Sequence, residues 1–451
     1  MSEEELSGYS GLSREMLTRV QAQIGDRVRL KLKRGSAEEI VEGLLMPRFQ
    51  TEHEDYIVVK LKTGYNVGVK IDTSTTIDVL GKGVEPHFTR PPLPERTLGL
   101  PNVSIMSTGG TIASKVDYRT GAVKPALDAE DLYSVVPELA QAAEINAKVL
   151  FSIFSENIGP QHWSKIAESV AEQIRGGADG VVVAHGTDTL GFTAAALSFA
   201  LKETPAPVVL VGSQRSSDRP SSDAATNLWA STVIAGHAPF AEVVVAMHDW
   251  VSDERIAVHR GTRVRKCHTS RRDAFKSVNG SPIAYYDIVR RSLQVTSQGY
   301  RERHKRTDWA VHSQFDPNVA LVKFHPGLSV EMIDWAIARG YKGIVLEGTG
   351  LGHVGEVLFS SLEKATKDGI VVAMCSQCIW GRVHMNVYST GRDLQKIGVI
   401  PLGDMLSETA LAKMMWAFGQ EKDAEEVKKL MISNIANELS ERRTAEGAME
   451  E

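Results

Sequence analysis

The N-terminal part of the chain is marked by a hydrophobic period of two. In residues 27–33, Val28, Leu30 and Leu32 alternate with cations, so apolar and charged groups project to opposite sides of an extended strand. Further short runs of this kind are separated by glycine-containing breaks, and they cover residues 40–45, 56–61, 66–71 and 76–80. Five short strands in succession predict a small all-β barrel of the SH3-like type.

Beyond residue 100 the pattern changes to apolar strands that alternate with helical stretches. Each of several β-branched runs is followed by a polar loop, and residues 192–201 after the second loop have a helical pattern. A similar set of elements covers residues 320–374, and the chain is helical from Glu408 onward. The alternation predicts βαβ units, a mostly parallel sheet and a second, smaller α/β unit. The β-branched runs are residues 103–106, 181–184, 208–212 and 243–247.

A proline-rich stretch separates the two patterns. Residues 91–94 contain three prolines, which cannot sustain a helix or a central strand, so this stretch is predicted to be an extended linker. At 451 residues the chain is also too long for one ordinary core. We therefore predict a tail and barrel (1–86), a linker (87–100), a large α/β domain (101–300), a connector (301–317) and a smaller α/β domain with C-terminal helices (318–451).

Composition and charge narrow the class of protein. With 42% hydrophobic and 24% charged residues the composition is that of a globular protein, and no apolar run is long enough to span a membrane. Three cysteines and an acidic N-terminus without signal-peptide character fit a cytoplasmic protein. A net charge of −5 argues against binding nucleic acid through the chain's own basic field. The cations of residues 27–33 could meet RNA, but a solvated or protein-docking face is the favoured interpretation.

Three short segments contain the candidate chemistry. STGGTIAS at residues 107–114 and HGTDT at 185–189 each follow a buried strand, where an open parallel sheet forms its ligand crevice. DAFKS at 273–277 adds a lysine. A threonine hydroxyl becomes a nucleophile when a base removes its proton, and Thr111 and Thr187 are both candidates. Lys276 could be that base, with Asp188 orienting it.

Glycines and a histidine complete the two strand-end loops. Gly109 and Gly110 would let the backbone approach a ligand and direct N–H groups at a developing oxyanion. Gly186 would permit a tight turn after the strand. His185 is expected to shape its loop rather than to act in catalysis. Hydroxyl, acid and amine together are the groups needed to attack a carboxamide.

The order, spacing and flanking residues of these segments resemble the bacterial-type L-asparaginase/glutaminase family over residues 101–418. The resemblance implies a two-domain, parallel-sheet architecture and amide hydrolysis through a threonyl acyl-enzyme, with release of ammonia. By position, it implies that Thr111 is the primary nucleophile, with Tyr118 as its hydroxyl partner. Thr187, Asp188 and Lys276 would form the second cluster.

The same resemblance implies a set of substrate-binding residues. Ser155 falls where the family binds the α-carboxylate of its substrate, and Asp188 would pair with the α-ammonium group. Glu156 stands where the family usually has glutamine, and Gly110 would border the substrate. No metal site is implied. Cys375 and Cys378 form a CxxC motif, but no second pair or histidine pair completes a zinc site.

With the barrel and the linker in front, and SQCIWGRVHMNVYSTGR at residues 376–392, the whole chain is similar to the glutaminase subunits of archaeal-type glutamyl-tRNA(Gln) amidotransferases. That similarity implies hydrolysis of glutamine and transfer of ammonia to a GatE-like partner subunit, which would hold ATP and Mg and convert Glu-tRNA(Gln). This chain itself would need no cofactor. Its catalytic domains would pair as a homodimer within a heterotetramer. The alternatives are a free-standing L-asparaginase/glutaminase and a catalytically silent scaffold.

Overall fold

The computed structural model describes residues 6, 8–34, 37–48, 54–62, 66–83, 99–109, 114–116, 123–125, 132–133, 136–215, 221–305 and 308–441. Thr111, Tyr118 and Gly110, three of the predicted site residues, lie outside the described residues. Among the helices of the described part, none has both the length and the hydrophobicity that a membrane span requires.

The N-terminal unit is a five-stranded antiparallel sheet in the order β4-β3-β2-β1-β5, with one helix packed against it. Val28, Leu30 and Leu32 of the first strand are buried, as the period of two predicts. Met16 and Leu17 of the helix belong to the same core. The elements are α1 (Gly11–Arg19), β1 (Asp26–Arg34), β2 (Ala37–Leu45), β3 (Tyr56–Lys60), β4 (Asn66–Lys70) and β5 (Thr76–Lys82).

Two of the outward cations of β1 are paired with carboxylates on its two neighbours. Arg29 Nε lies 2.5 Å from Glu42 Oε1 on β2, and Lys31 Nζ lies 2.9 Å from Asp78 Oδ2 on β5. Because each of these cations is matched by an anion on the same surface, the basic field of the strand is reduced. The pairing favours the solvated or protein-docking interpretation of this face over RNA binding.

The large domain is built on an eight-stranded sheet in the order β17-β16-β13-β12-β11-β10-β6-β9. Its elements are β6 (Asn102–Ser107), β7 (Ser114–Val116), β8 (Val123–Pro125), α2 (Leu139–Ala142), β9 (Glu144–Val149), α3 (Pro160–Arg175), β10 (Gly180–Ala184), α4 (Leu190–Ala200), β11 (Val208–Val211), α5 (Ala224–His237), β12 (Val243–His248), β13 (Arg255–Arg260), β14 (Val264–Lys266), β15 (Phe275–Ser277), β16 (Ala284–Asp287) and β17 (Ser292–Val295).

The predicted mostly parallel sheet is present in five neighbouring strands, in the order β9-β6-β10-β11-β12. β10 lies at its centre and is buried along its whole length, which explains its uninterrupted run of valines. β13, β16 and β17 add an antiparallel edge that the sequence pattern did not predict. Two short antiparallel hairpins, β7–β8 and β14–β15, lie outside the main sheet.

The smaller domain has four parallel strands in the order β18-β19-β20-β21. Its helix α9 also packs against α4 of the large domain, where the rings of Trp416 and Phe199 stack with centroids 5.7 Å apart. This helix therefore couples the two α/β domains. The elements are β18 (Val319–Lys323), α6 (Glu331–Ala338), β19 (Gly343–Gly348), α7 (Phe359–Lys367), β20 (Val371–Ser376), α8 (Ser389–Lys396), β21 (Ile400–Pro401), α9 (Ser407–Gln420) and α10 (Ala424–Ile432).

A buried histidine on β13 makes the large domain sensitive to acid. His259 Nδ1 lies 2.8 Å from Ser277 Oγ, and burial, reinforced by the charge of Lys276, lowers the pKa of His259 to about 3. An unfolded chain would bind a proton at this imidazole near its ordinary pKa, about 6.5. Between these values the unfolded state holds more protons than the folded state, so stability falls as the pH decreases.

We expect the free energy of unfolding of the large domain to fall between pH 6.5 and pH 4, with His259 contributing about 1.4 kcal/mol per pH unit. In His259→Gln this part of the slope should disappear. Urea unfolding at pH 7, 6 and 5 measures it. His325→Gln, at an exposed histidine, is the matched control and should leave the slope unchanged. An identical slope in His259→Gln and the unaltered chain would contradict the assignment.

Candidate active site

The loops that follow β6 and β10 meet at the carboxyl edge of the large sheet. These strands are parallel neighbours, so their ends are adjacent. Thr108 joins the two loops, because its backbone N–H and its Oγ1 both donate to the carbonyl oxygen of Ala184, at 3.0 and 3.1 Å. The prediction that the first two segments come together is therefore confirmed for the described residues.

Gly109 brings the first loop against a third one. Its φ is +116°, a conformation that favours glycine. A Cβ atom at this position would lie only 2.2 Å from the carbonyl oxygen of Ile153, so no side chain fits there. Since Ile153 precedes Ser155 by two residues, this contact places the loop of Ser155 beside the glycine-rich segment.

Ser155 is also in direct contact with the loop that follows β10. It is buried in the short 3₁₀ turn Ser155–Asn157, and its carbonyl oxygen accepts a hydrogen bond of 2.6 Å from Thr189 Oγ1. A Cβ atom at Gly186 would come within 3.0 Å of Ser155 Oγ, so glycine allows this approach. Glu156 follows in the same turn and is exposed. The structure thus joins two of the predicted segments with Ser155.

An amine contacts both Thr187 and Asp188, and it belongs to Lys266. Lys266 Nζ lies 2.9 Å from Thr187 Oγ1 and 2.7 Å from Asp188 Oδ1. The side chain of Asp188 is 72% exposed, whereas that of Lys266 is only 15% exposed. A hydroxyl, a carboxylate and an amine therefore converge, as the sequence predicted, but the lysine is a different one.

The prediction that Lys276 supplies this amine is wrong. Its Nζ instead donates to the carbonyl oxygen of Asp249 at 3.0 Å and lies 3.4 Å from Asp273 Oδ2. The same ammonium lies 5.6 Å from the ring centroid of Trp250. Lys276 thus binds the loop after β12 and contacts Asp249, Asp273 and Trp250 instead of Thr187 and Asp188.

The register of the β14–β15 hairpin explains which lysine reaches the site. Arg265 is paired with Lys276, and Lys266 is paired with Phe275. Directly opposed residues project to the same face of a ladder, whereas successive residues alternate. Lys266 and Lys276 therefore project to opposite faces. The signal that could have revealed Lys266 was the short alternation Val264-Arg-Lys266, with a buried valine two residues before the lysine.

His185 is a neutral structural residue of the loop. Trp163 Nε1 donates to Thr193 Oγ1 at 3.1 Å, and the Thr193 hydroxyl lies 2.9 Å from His185 Nε2. His185 Nδ1 lies 2.6 Å from the carbonyl oxygen of Gly186, so this nitrogen is the donor and Nε2 accepts from Thr193. Burial lowers the pKa of His185 to about 4, which keeps the imidazole neutral at pH 7. As expected from the sequence, the histidine shapes its loop.

Three segments of the chain match models of known protein families. Residues 102–298 match the N-terminal asparaginase domain, and residues 318–431 match the glutaminase/asparaginase C-terminal domain. Residues 22–80 match the GatD N-terminal domain.

Relatives of similar length cover almost the whole chain. The D subunit of glutamyl-tRNA(Gln) amidotransferase from Methanopyrus kandleri is 50% identical and aligns over 98% of this chain and 97% of its own length. The corresponding D subunit of Thermofilum pendens is 49% identical over 96% of this chain and 97% of its own length. Among solved structures, the thermostable L-asparaginase of Thermococcus kodakarensis is 34% identical with a TM-score of 0.68, and it covers 76% of this chain and 100% of its own.

We expect Lys266→Ala to lower the rate of ammonia release from glutamine by at least about 100-fold, because a positioned proton-transfer group contributes on that scale. Lys276→Ala is the matched control from the opposite face of the same hairpin. It should retain activity of the same order as the unaltered chain, provided that thermal unfolding shows both variants to be folded. Equal losses in the two variants would contradict the assignment of the amine to Lys266.

Proposed function

The chain belongs to the family of glutamyl-tRNA(Gln) amidotransferase D subunits, and from this membership and the site geometry we propose that it is the glutaminase component of such an amidotransferase. It hydrolyses glutamine to glutamate and supplies the ammonia to a partner subunit. The observation that carries the proposal is the continuity of the similarity to D subunits, which includes the N-terminal β unit as well as both asparaginase-type domains.

The chemistry follows from a hydroxyl next to an amine and a carboxylate. The oxygen of the nucleophilic threonine, for which Thr111 and Thr187 are both candidates, attacks the carboxamide carbon, the C–N bond breaks, and the amide nitrogen leaves as ammonia with the proton from the hydroxyl. Water then hydrolyses the ester and releases glutamate. Lys266 is placed to move the proton at Thr187 Oγ1, and Asp188 orients the amine from the other side. Thr111 remains the predicted primary nucleophile, with Tyr118 as its hydroxyl partner.

The substrate would be held by its α-carboxylate and its α-ammonium group. Ser155, buried against Gly186, offers a hydroxyl to the carboxylate, and the exposed Asp188 offers a charge to the ammonium. Glu156 and Gly110 complete the proposed substrate-binding set. These assignments keep the carboxamide of the substrate near Thr187, where the amine of Lys266 also lies.

The partner would carry out the second half of the reaction. We propose a GatE-like subunit that holds ATP and Mg and converts Glu-tRNA(Gln) to Gln-tRNA(Gln) in the cytoplasm, with this chain needing no cofactor of its own. The catalytic domains would pair as a homodimer within a heterotetramer. The ion pairs of Arg29 and Lys31 on β1 support a role of the N-terminal unit in protein contact, so the tRNA would be held mainly by the partner.

A free-standing L-asparaginase/glutaminase is the second candidate function. It is favoured by the likeness to the Thermococcus kodakarensis L-asparaginase, whose whole chain is matched. That likeness covers only 76% of this chain, however, whereas the Methanopyrus kandleri D subunit aligns over 98% of this chain. The two functions differ in coupling, because a free enzyme has no need of a partner or of tRNA.

Ammonia release from glutamine should rise by about tenfold when the partner subunit, ATP, Mg and Glu-tRNA(Gln) are added, which is a typical strength of coupling between linked sites. Lys266→Ala in the complex should lose glutamine-dependent synthesis of Gln-tRNA(Gln) and keep synthesis from added ammonium. Strong asparaginase activity that is indifferent to partner and tRNA would contradict the amidotransferase role. Loss of the ammonium-dependent reaction would show that Lys266 serves the subunit interface instead.

A further inference from the structure

Residues 433–440, here named the C-terminal clasp, follow α10 and lie beyond the segment that matches the C-terminal asparaginase domain, which ends at residue 431. The clasp is tied to α9 by a fully buried ion pair. Lys413 Nζ lies 2.5 Å from Glu438 Oε1, and both side chains are 0% exposed. Glu438 also accepts hydrogen bonds from the backbone N–H groups of Ile435 and Ala436, so its charge is satisfied within the clasp.

The other side of the clasp holds Arg263. This guanidinium donates from Nε to the carbonyl oxygen of Asn437 and from Nη2 to Ser440 Oγ, each at 2.9 Å. Its Nη1 lies 2.8 Å from Asp404 Oδ2, and Asp404 Oδ1 accepts the backbone N–H of Ser440 at 3.0 Å. Both partners of the ion pair are almost fully buried, at 7% and 8% exposed. Removing either charge would leave the other buried without compensation.

Arg263 immediately precedes β14, the strand that ends with Lys266. Its carbonyl oxygen accepts the backbone N–H of Val278 at 2.8 Å, just after β15, so the guanidinium is anchored where both strands of the hairpin meet the domain. Two further contacts lie nearby, one just before β14 and one on it. Thr262 Oγ1 donates to the carbonyl oxygen of Ala436 at 2.9 Å, and Arg265 Nε lies 3.3 Å from Glu408 Oε1 on α9.

These contacts act on residues 262, 263 and 265, and Lys266 projects to the face of the hairpin opposite to Arg265. The Lys266–Asp188 pair is a poor anchor, because Asp188 is 72% exposed and exposed pairs contribute little to stability. We propose that Arg263, held by the C-terminal clasp and by Asp404, is a positioning residue that sets the distance from Lys266 Nζ to Thr187 and Asp188. This role deepens the proposed function and rests on it.

The test compares Arg263→Met with Arg260→Met. Arg260, three residues earlier at the end of β13, is also packed against a buried carboxylate, with its Nε 2.8 Å from Glu242 Oε2, and its other hydrogen bonds go to Ser297 and Gly299. Arg263→Met should lower kcat for glutamine hydrolysis by about tenfold to 100-fold, with KM nearly unchanged, because a misplacement of about 1 Å costs on that scale. Arg260→Met should leave kcat near that of the unaltered chain.

Two milder variants keep the proposal testable if Arg263→Met unfolds. Arg263→Lys retains a charge for Asp404 but loses the fork to Asn437 and Ser440, so its kcat should lie between those of Arg263→Met and the unaltered chain. Ser440→Ala removes one acceptor and should reduce kcat by a few-fold. A kcat of Arg263→Lys and Ser440→Ala equal to that of Arg260→Met, or a loss confined to KM, would overturn the proposal.

The chemical reactivity of Lys266 can be measured without an activity assay, so it tests the positioning role of Arg263 separately from the proposed function. Acetylation of individual lysines by limiting acetic anhydride, followed by peptide mass spectrometry, should show Lys266 more reactive in Arg263→Lys and Ser440→Ala, with Lys276 unchanged. If the unaltered complex releases no ammonia from glutamine, the proposed function fails, but faster acetylation of Lys266 alone still supports the positioning role. Equal reactivity of Lys266 in all variants would overturn it.

Discussion

The pairing of two three-residue strands determines which lysine contacts Thr187 and Asp188. In the β14–β15 hairpin, Arg265 lies opposite Lys276, so Lys266 projects to the other face and reaches Thr187 and Asp188. A shift of one residue would turn every side chain of the hairpin over. The hydroxyl of Thr187 and the carboxylate of Asp188 follow the buried strand β10, whereas the amine of Lys266 lies on the small β14–β15 hairpin. The register of this hairpin must therefore be stabilised by contacts with other parts of the protein.

The contacts that hold the β14–β15 hairpin come mostly from the smaller domain and the C-terminal clasp. An ion pair whose carboxylate is exposed, such as Lys266–Asp188, contributes about 0–1 kcal/mol, which is too little to position a hairpin. Arg263 and Arg265 are instead held by Asp404 and Glu408, which belong to the smaller domain. On the positioning proposal, a site whose threonine lies in the large domain depends on the packing of α9. On the same proposal, the segment after α10 helps to hold the hairpin in place through Asn437 and Ser440.

Much of the fold follows from local patterns in the sequence. The alternation of Val28, Leu30 and Leu32 predicted the N-terminal sheet, and the valines of β10 predicted a buried parallel strand whose end borders the site. Because parallel strands place their carboxyl ends together, the meeting of the loops after β6 and β10 could also be predicted. The choice between Lys266 and Lys276 could not, since it depends on a tertiary register. The contacts of the C-terminal clasp could not be predicted either, because Arg263 and Ser440 are far apart in the chain.

The central claim, that Lys266 rather than Lys276 is the amine of the proposed glutaminase site, is tested most directly by protection of the lysine with a bound ligand. Both lysines would be acetylated with limiting acetic anhydride in the presence and absence of saturating glutamate, the product of the reaction, and quantified by peptide mass spectrometry. We expect glutamate to slow the acetylation of Lys266 strongly and to leave that of Lys276 unchanged. Protection of Lys276 with no effect on Lys266 would contradict the account.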